Sequence, residues 1–477
     1  MQNVTKGHAP QAVLGYFEQI SAIPRGSGNE KGIADYLEAF GKAHGFYVYR
    51  DAMHNVLIRK PASEGSEGKP ALMLQGHTDM VCEKNNSVSH DFETDPIELQ
   101  VVGDVLRANG TTLGADNGIA VAYMLALLAD ETLRHPTLEC LFTAQEETGL
   151  DGARAFDGRQ ITARQMINLD AGPEGCAIVS CAGGMRIDMQ KRLAQQPFAG
   201  QALTIALTGL MGGHSGAEIH QYRGNANQLM GRMLAHLDDV RLVEMQGGNK
   251  ENAIPRECVA TVAVADAQRA TAQIQAVAEV IRAELPGEDQ GFSVQVQAAP
   301  DRESMATADD TRALITLLCL VPNGVIAMSR QMEGLVESSS NLGIVRTQGD
   351  TVQLTLSPRA CVESRQDDTE LRMQLLAQAL GFACTTHARY PGWAYEKESP
   401  LRTLLCEVYR DLTGKGMQIA AVHGGLECGL IKSKVPEMDI VAIGPDCKNA
   451  HTPDEQLNMK SAQRVWQLLC TMVQRLS

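Results

Sequence analysis

The sequence predicts an α/β protein: a mostly parallel sheet that carries the chemistry, interrupted by an inserted α/β sandwich. Three observations predict it. Apolar runs of strand length alternate with helical stretches in both terminal regions, the rhythm of βαβ units. The middle of the chain carries longer, half-exposed strand patterns and a hairpin-like pair, which suit an antiparallel sheet. At 477 residues the chain is long enough for two or three domains.

The elements follow in order. Val13, Tyr16, Phe17 and Ile20 share one helical face within residues 11–23, and Ile33, Tyr36, Leu37 and Phe40 do so within 30–44, with Gly45 as a C-cap. Residues 55–59 and 71–74 are strand-length apolar runs around the polar loop PASEGSEGKP. Residues 119–128 are apolar almost all round and predict a buried helix. Residues 138–144 and 166–169 again read as buried strands. After about residue 184 come strands at 202–210 and 258–264, helices at 225–238, 268–285 and 308–320, and a hairpin pairing 343–346 with 351–356 across TQGD. Beyond Pro391-Gly392 the expectation is a helix over 401–413, strands near 418–422 and 439–443, and a last helix over 459–475.

Composition narrows the function. Lys plus Arg is 42 and Asp plus Glu is 57, a formal charge of −15, which argues against nucleic acid or an anionic membrane as the main partner. No run approaches the ~18 apolar residues of a membrane span. The N-terminus, MQNVTKGHAP, has no charged segment followed by an apolar one, so a cytoplasmic location is expected. The 12 cysteines form no CxxC pair, and they read as reduced core residues.

The chemistry lies where predicted strands end. His77 and Asp79 (GHTDM) follow the strand ALML, and Asp116 (LGADNG) precedes the buried helix. Glu146 and Glu147 (TAQEETG) follow LECLFTA, Asp170 (INLDAG) follows a fourth strand, and His451 (NAHTPDE) follows DIVAIGP. Ligands of open parallel sheets bind outside the carboxyl ends of the strands. Each motif is commonplace alone, but together they deliver imidazoles and carboxylates to one edge. That donor set suits zinc, cobalt or manganese. The number of donors suggests two ions, with Asp116 able to bridge them. Glu146 and Glu147 are adjacent and diverge, so one can bind metal while the other moves protons. Asp79 can accept the spare N–H of a metal-bound His77; a turn or N-cap carboxylate is its ordinary alternative.

At these motifs the chain resembles the dinuclear-zinc amidohydrolase family of aminoacylases, acetylornithine deacetylase, glutamate carboxypeptidases and dipeptidases. GSGNE near residue 26, LGADNG and HGGLECG at 423–429 fit a dipeptidase branch. The resemblance spans essentially the whole chain. It implies that His77, Asp116 and Asp170 hold one zinc and that Asp116, Glu147 and His451 hold the other. It makes Glu146 the general base, with Asp79 supporting His77, and it implies a cis peptide after Asp116. It further implies a catalytic metal domain over 1–184 and 395–477 and a lid over 185–394. His214 (GLMGGHSGAEI) is expected to reach the substrate, from a partner subunit in dimeric relatives, so a homodimer is expected. Arg365 (CVESRQDD) resembles the arginine that clamps the substrate carboxylate, although an ordinary surface arginine fits almost as well. Gly424 is expected to offer a backbone N–H to substrate and Glu427 to meet its amino group. The expected reaction is hydrolysis of dipeptides, including Xaa-His such as β-alanyl-histidine. N-acyl amino acid deacylation or carboxypeptidase action on the same metal site is the alternative.

Overall fold

The computed structural model describes residues 3–300 and 302–477. The chain forms two compact units. One runs to Ser180 and resumes over Glu396–Ala421 and Leu426–Ser477; the other comprises Cys181–Tyr395 and Val422–Gly425. The short stretch 422–425 departs from the expected assignment of everything past 395 to the first unit. Its bonds explain why: Ala182 N–H donates to the Val422 carbonyl at 3.1 Å, and Ser339 Oγ lies 2.7 Å from His423 Nε2.

The first unit is built on an eight-stranded sheet, in the order 47–50, 56–60, 138–143, 72–77, 165–168, 439–442, 176–181, 418–422. Its centre is parallel: 72–77 pairs with 138–143 and 165–168, and 439–442 continues the set beside 165–168. The margins are antiparallel, at 47–50 with 56–60, 56–60 with 138–143, and 439–442 with 176–181. Strands Leu72–His77 and Leu138–Thr143 are buried along their whole length, as sheets covered on both faces require. The helix Ala115–Ala129 is buried at nearly every position and packs with Gln11–Ser21 in one apolar core. That burial is why it shows no polar face in sequence.

The second unit contains an eleven-stranded sheet whose recorded pairings are antiparallel. The helices Ala226–Leu234, Ala267–Glu284, Ala308–Leu320 and Glu363–Leu380 belong with it, and the interior is a separate apolar core. The predicted hairpin is longer than expected: strand Leu342–Gln348 includes Thr347 and Gln348, with Gln348 opposite Thr351. The helix Glu363–Leu380 was not expected. No helix among the described residues is long and apolar enough to cross a membrane.

Candidate metal centre

Six side chains of the first unit converge at the carboxyl ends of its parallel strands. His77 is the last residue of strand Leu72–His77, and Asp170 follows strand Gln165–Asn168 by two residues. Asp116 stands in the first turn of helix Ala115–Ala129, after a cis peptide-free Ala115 and before the cis bond Asp116–Asn117. Gly76 permits the close approach of that helix. A Cβ there would lie 2.4 Å from Asn117 Oδ1 and 2.5 Å from Ala120 Cβ. Glu146 and Glu147 leave strand Leu138–Thr143 through Gln145, whose φ is +52°, and His451 has φ +65°. Left-handed backbone costs such residues roughly 1–2 kcal/mol, so local bonding must hold them there.

The distances define two groups that share Asp116. His77 Nε2 lies 3.2 Å from Asp116 Oδ1, 3.9 Å from Asp170 Oδ1 and 4.0 Å from Glu146 Oε2. His451 Nε2 lies 3.3 Å from Asp116 Oδ2 and 2.9 Å from Glu147 Oε1. Asp116 thus presents one oxygen to each imidazole. Donor atoms fall within 4.8 Å of one another in His77–Asp116–Asp170, in Asp116–Glu147–His451, and in His77–Glu146–Glu147. His77 is buried, whereas His451 is about half exposed.

Asp79 sits behind His77. The His77 Nδ1 lies 3.1 Å from the Asp79 carbonyl and 3.3 Å from its Oδ1. The same carboxylate accepts Ser27 Oγ at 2.7 Å and the backbone N–H groups of Glu146 and Glu147 at 3.0 and 3.2 Å. Burial pushes its carboxyl up, but the hydrogen bonds and charge of His77, with Ser27 and the Glu146 N–H, outweigh it and hold it at about 2.

The electrostatics report a surplus of carboxylates. Burial pushes Glu146 up to about 8, and the charges of Glu427, Glu147 and Asp116 add to it against His77. Burial also raises Asp170 well above the usual range, with Asp116, Glu146 and Glu147 repelling its charge. His451 rises to about 10 through its bonds to Asp116 and Glu147. His77 is raised too, as Asp116 and Asp79 overcome the opposing effect of burial. Acids that hold protons and imidazoles that gain them both signal a pocket that attracts positive charge. Divalent ions satisfy that demand, and the mixed imidazole and carboxylate donors suit them.

Two further groups brace this loop system, and neither was expected from sequence. Glu455 accepts the N–H groups of Leu113, Gly114 and Asp116 at 2.7, 2.8 and 3.1 Å. Arg25, buried, donates to the carbonyls of Thr78 at 2.9 Å and Gly114 at 2.6 Å. Glu455 lies inside the NAHTPDE motif, so its spacing from His451 was a usable signal. Arg25 had none beyond its place before GSGNE.

The remaining expected residues are placed as follows. Glu427 is 1% exposed, and its Oε2 accepts from Gln75 Nε2 and from Thr143 Oγ1. Helix Glu427–Lys434 begins at this residue, which lies buried beside the sheet. The other three lie in the second unit. His214 Nδ1 accepts the N–H groups of Gly216 and Ala217 at 3.2 and 3.0 Å. That places its proton on Nε2. Burial and the charge of Arg359 lower its pKa. Arg365 lies in the first turn of helix Glu363–Leu380 and pairs with Glu337 at 3.2 Å. Arg359 is the arginine that acts on the histidines: its charge lowers His214 and, after burial, His423, which falls to about 3. Its Nη1 donates to Tyr390 Oη at 3.1 Å, and its Nε has no partner among the described residues. Gly424 has open space where a Cβ would stand.

Comparison with known proteins adds the ancestry of this arrangement. The model of peptidase family M20/M25/M40 matches residues 73–475. The chain is 38% identical over 475 residues, 98% of each chain, to the cytosol non-specific dipeptidase of Escherichia coli strain K12. It is similar in structure to the aminoacylhistidine dipeptidase of Vibrio alginolyticus, with a TM-score of 0.95, 34% identity, and coverage of 99% of this chain and 98% of that one. An aminopeptidase from Bacillus cereus shares the fold at a TM-score of 0.58 and 14% identity, covering 98% and 99% of the two chains.

Proposed function

The chain belongs to peptidase family M20/M25/M40, and we propose that it is a dipeptidase acting through two divalent ions. One ion would be held by His77, Asp116 and Asp170, the other by Asp116, Glu147 and His451. The observation that carries this reading is Asp116, whose two carboxylate oxygens face the two imidazoles at 3.2 and 3.3 Å. Similarity to a cytosol non-specific dipeptidase and to an aminoacylhistidine dipeptidase supports dipeptides, Xaa-His such as β-alanyl-histidine among them, as substrates. When bound, such a pair of ions acidifies a water and polarises the scissile carbonyl.

The protein's own groups do the rest. Glu146 is the general base: it takes a proton at its carboxylate and returns it to the leaving amine. In the ion-free protein, burial and the neighbouring carboxylates raise its affinity for a proton, the direction a proton-exchanging glutamate needs. Asp79 keeps the His77 ring in one tautomer, with Nε2 turned towards Asp116. The second unit serves as the lid. There His214 offers an Nε2–H to developing negative charge. Arg359, rather than the Glu337-paired Arg365, takes the substrate carboxylate. Gly424 offers its backbone N–H. We take zinc as the native ion, with cobalt or manganese able to replace it, and a cytoplasmic homodimer as the working state.

A substrate panel tests this reading. Alanyl dipeptides and β-alanyl-histidine are expected to turn over, with tripeptides and N-acetyl amino acids slower. Faster turnover of the N-acetyl compounds would make the protein a deacylase on the same metal site.

A further inference from the structure

A second row of polar side chains lies beneath the metal ligands. Gln75, Thr143, Asn168 and Glu427 are each 1% exposed or less. Such groups are costly in a sheet interior unless their hydrogen bonds are met. Gln75 precedes His77 by two residues and so shares its face of the strand. It pairs in register with Asn168, which precedes Asp170 by two residues.

The hydrogen bonds join this row into one directed chain. Asp170 N–H donates to Asn168 Oδ1 at 3.2 Å, and Asn168 Nδ2 donates to Gln75 Oε1 at 2.6 Å. Gln75 Nε2 then donates to Glu427 Oε2, which also accepts Thr143 Oγ1 at 2.7 Å. An amide can be turned either way, but Glu427 Oε2 accepts from both of its neighbours. Glu427 therefore forces Gln75 to point its N–H outward and its oxygen towards Asn168. That in turn leaves Asn168 with its oxygen towards Asp170. The direction of every bond in the chain follows from the acceptor at its end.

We propose that Glu427 is a positioning residue for the metal centre, holding the Asp170 loop in its ligating position through Gln75 and Asn168. The inference rests on the two-ion reading given above. Groups that orient metal ligands are commonly worth about 10–100-fold in metal affinity or activity.

The test is zinc affinity by competition titration, together with the visible absorption spectrum of the cobalt-loaded protein, for wild type, Glu427→Leu, Glu427→Gln and Thr143→Val. Glu427→Leu is expected to weaken zinc binding about 10–100-fold and to change the cobalt spectrum. Glu427→Gln keeps an oxygen that accepts both donors, so it is expected to stay near wild type in both readouts. Thr143→Val removes the donor to Glu427 and the acceptor of a Gln75 N–H at 3.1 Å without changing the shape, and is expected to give a smaller loss of the same kind. If Glu427→Leu does not fold, Thr143→Val decides: lost affinity supports the proposal and unchanged affinity overturns it. Wild-type affinity and spectrum in Glu427→Leu overturn it, as does equal loss in Glu427→Gln and Glu427→Leu. A wild-type protein that binds no ion would instead sink the two-ion reading, and this inference with it.

Discussion

The carboxylate of Asp79 accepts the backbone N–H of Glu146 at 3.0 Å. Its second oxygen takes the N–H of Glu147 and the hydroxyl of Ser27. One buried aspartate therefore orients His77 and also anchors the loop bearing both glutamates. Asp79→Asn places an amide donor against those donors. The expected outcome is a loss of about 10–100-fold in kcat/KM together with weaker metal binding. Steady-state kinetics and metal analysis of the purified variant check it; a fully active variant would show that His77 and the glutamate loop hold themselves.

Glu146 and Glu147 separate in role through their neighbours. Glu147 Oε1 faces His451 at 2.9 Å, whereas Glu146 Oε2 lies 4.0 Å from His77 Nε2. Glu146→Gln is expected to keep both ions and lose about 10²–10⁴-fold in kcat, the usual worth of general acid–base catalysis. Glu147→Gln is expected to lose metal. Metal content measured beside turnover distinguishes them, and the opposite pattern would exchange their assignments.

The raised carboxyl of Glu146 has a consequence for pH. Its value rises from the ordinary 4.5 to about 8 in the folded chain without ions. Below the unfolded value both states hold the proton and the group costs nothing. As pH rises from about 4.5 to 8 the unfolded chain gives up this proton first, so the metal-stripped native state loses stability. Glu146→Gln removes that loss. Melting of metal-stripped wild type and Glu146→Gln should therefore diverge between pH 5 and pH 9, with the variant gaining. Parallel curves would contradict the burial and repulsion assigned to this group.

Arg359 and Arg365 offer a clean contrast. Arg359→Met is expected to raise KM for dipeptides about 10–100-fold, in line with the 1.5–3 kcal/mol of a hydrogen bond to a charged group. Arg365→Met, which removes a half-exposed pair with Glu337, is expected to leave KM unchanged. Kinetics on an alanyl dipeptide and on its C-terminal amide separate the two, because the amide lacks the carboxylate proposed to meet Arg359.

Some of this molecule is legible in its sequence for a plain reason. Acidic and histidine residues just past apolar strand-length runs mark the ligand edge of a parallel sheet. His77, Glu146, Glu147, Asp170 and His451 carry that mark, Asp116 stands at the start of the buried helix, and the structure brings all six together. Other features leave weaker traces. The helix Glu363–Leu380 buries Gln366, Thr369, Met373 and Ala377, so half of its inward stripe is polar and the apolar period is lost. Glu427 sits just past two glycines that hide the start of a helix, yet it opens the buried helix Glu427–Lys434. Gln75 and Asn168 each interrupt an apolar strand run, a polar signal that acquires meaning only when the parallel register sets them side by side.

Two ions sharing Asp116 are proposed to drive dipeptide hydrolysis. Metal-stripped protein titrated with zinc, with bound metal and turnover of an alanyl dipeptide followed together, tests it most directly. Negligible turnover is expected without metal, and full activity as binding reaches two ions per chain. Full turnover in the stripped protein, or saturation at a single ion, would contradict it.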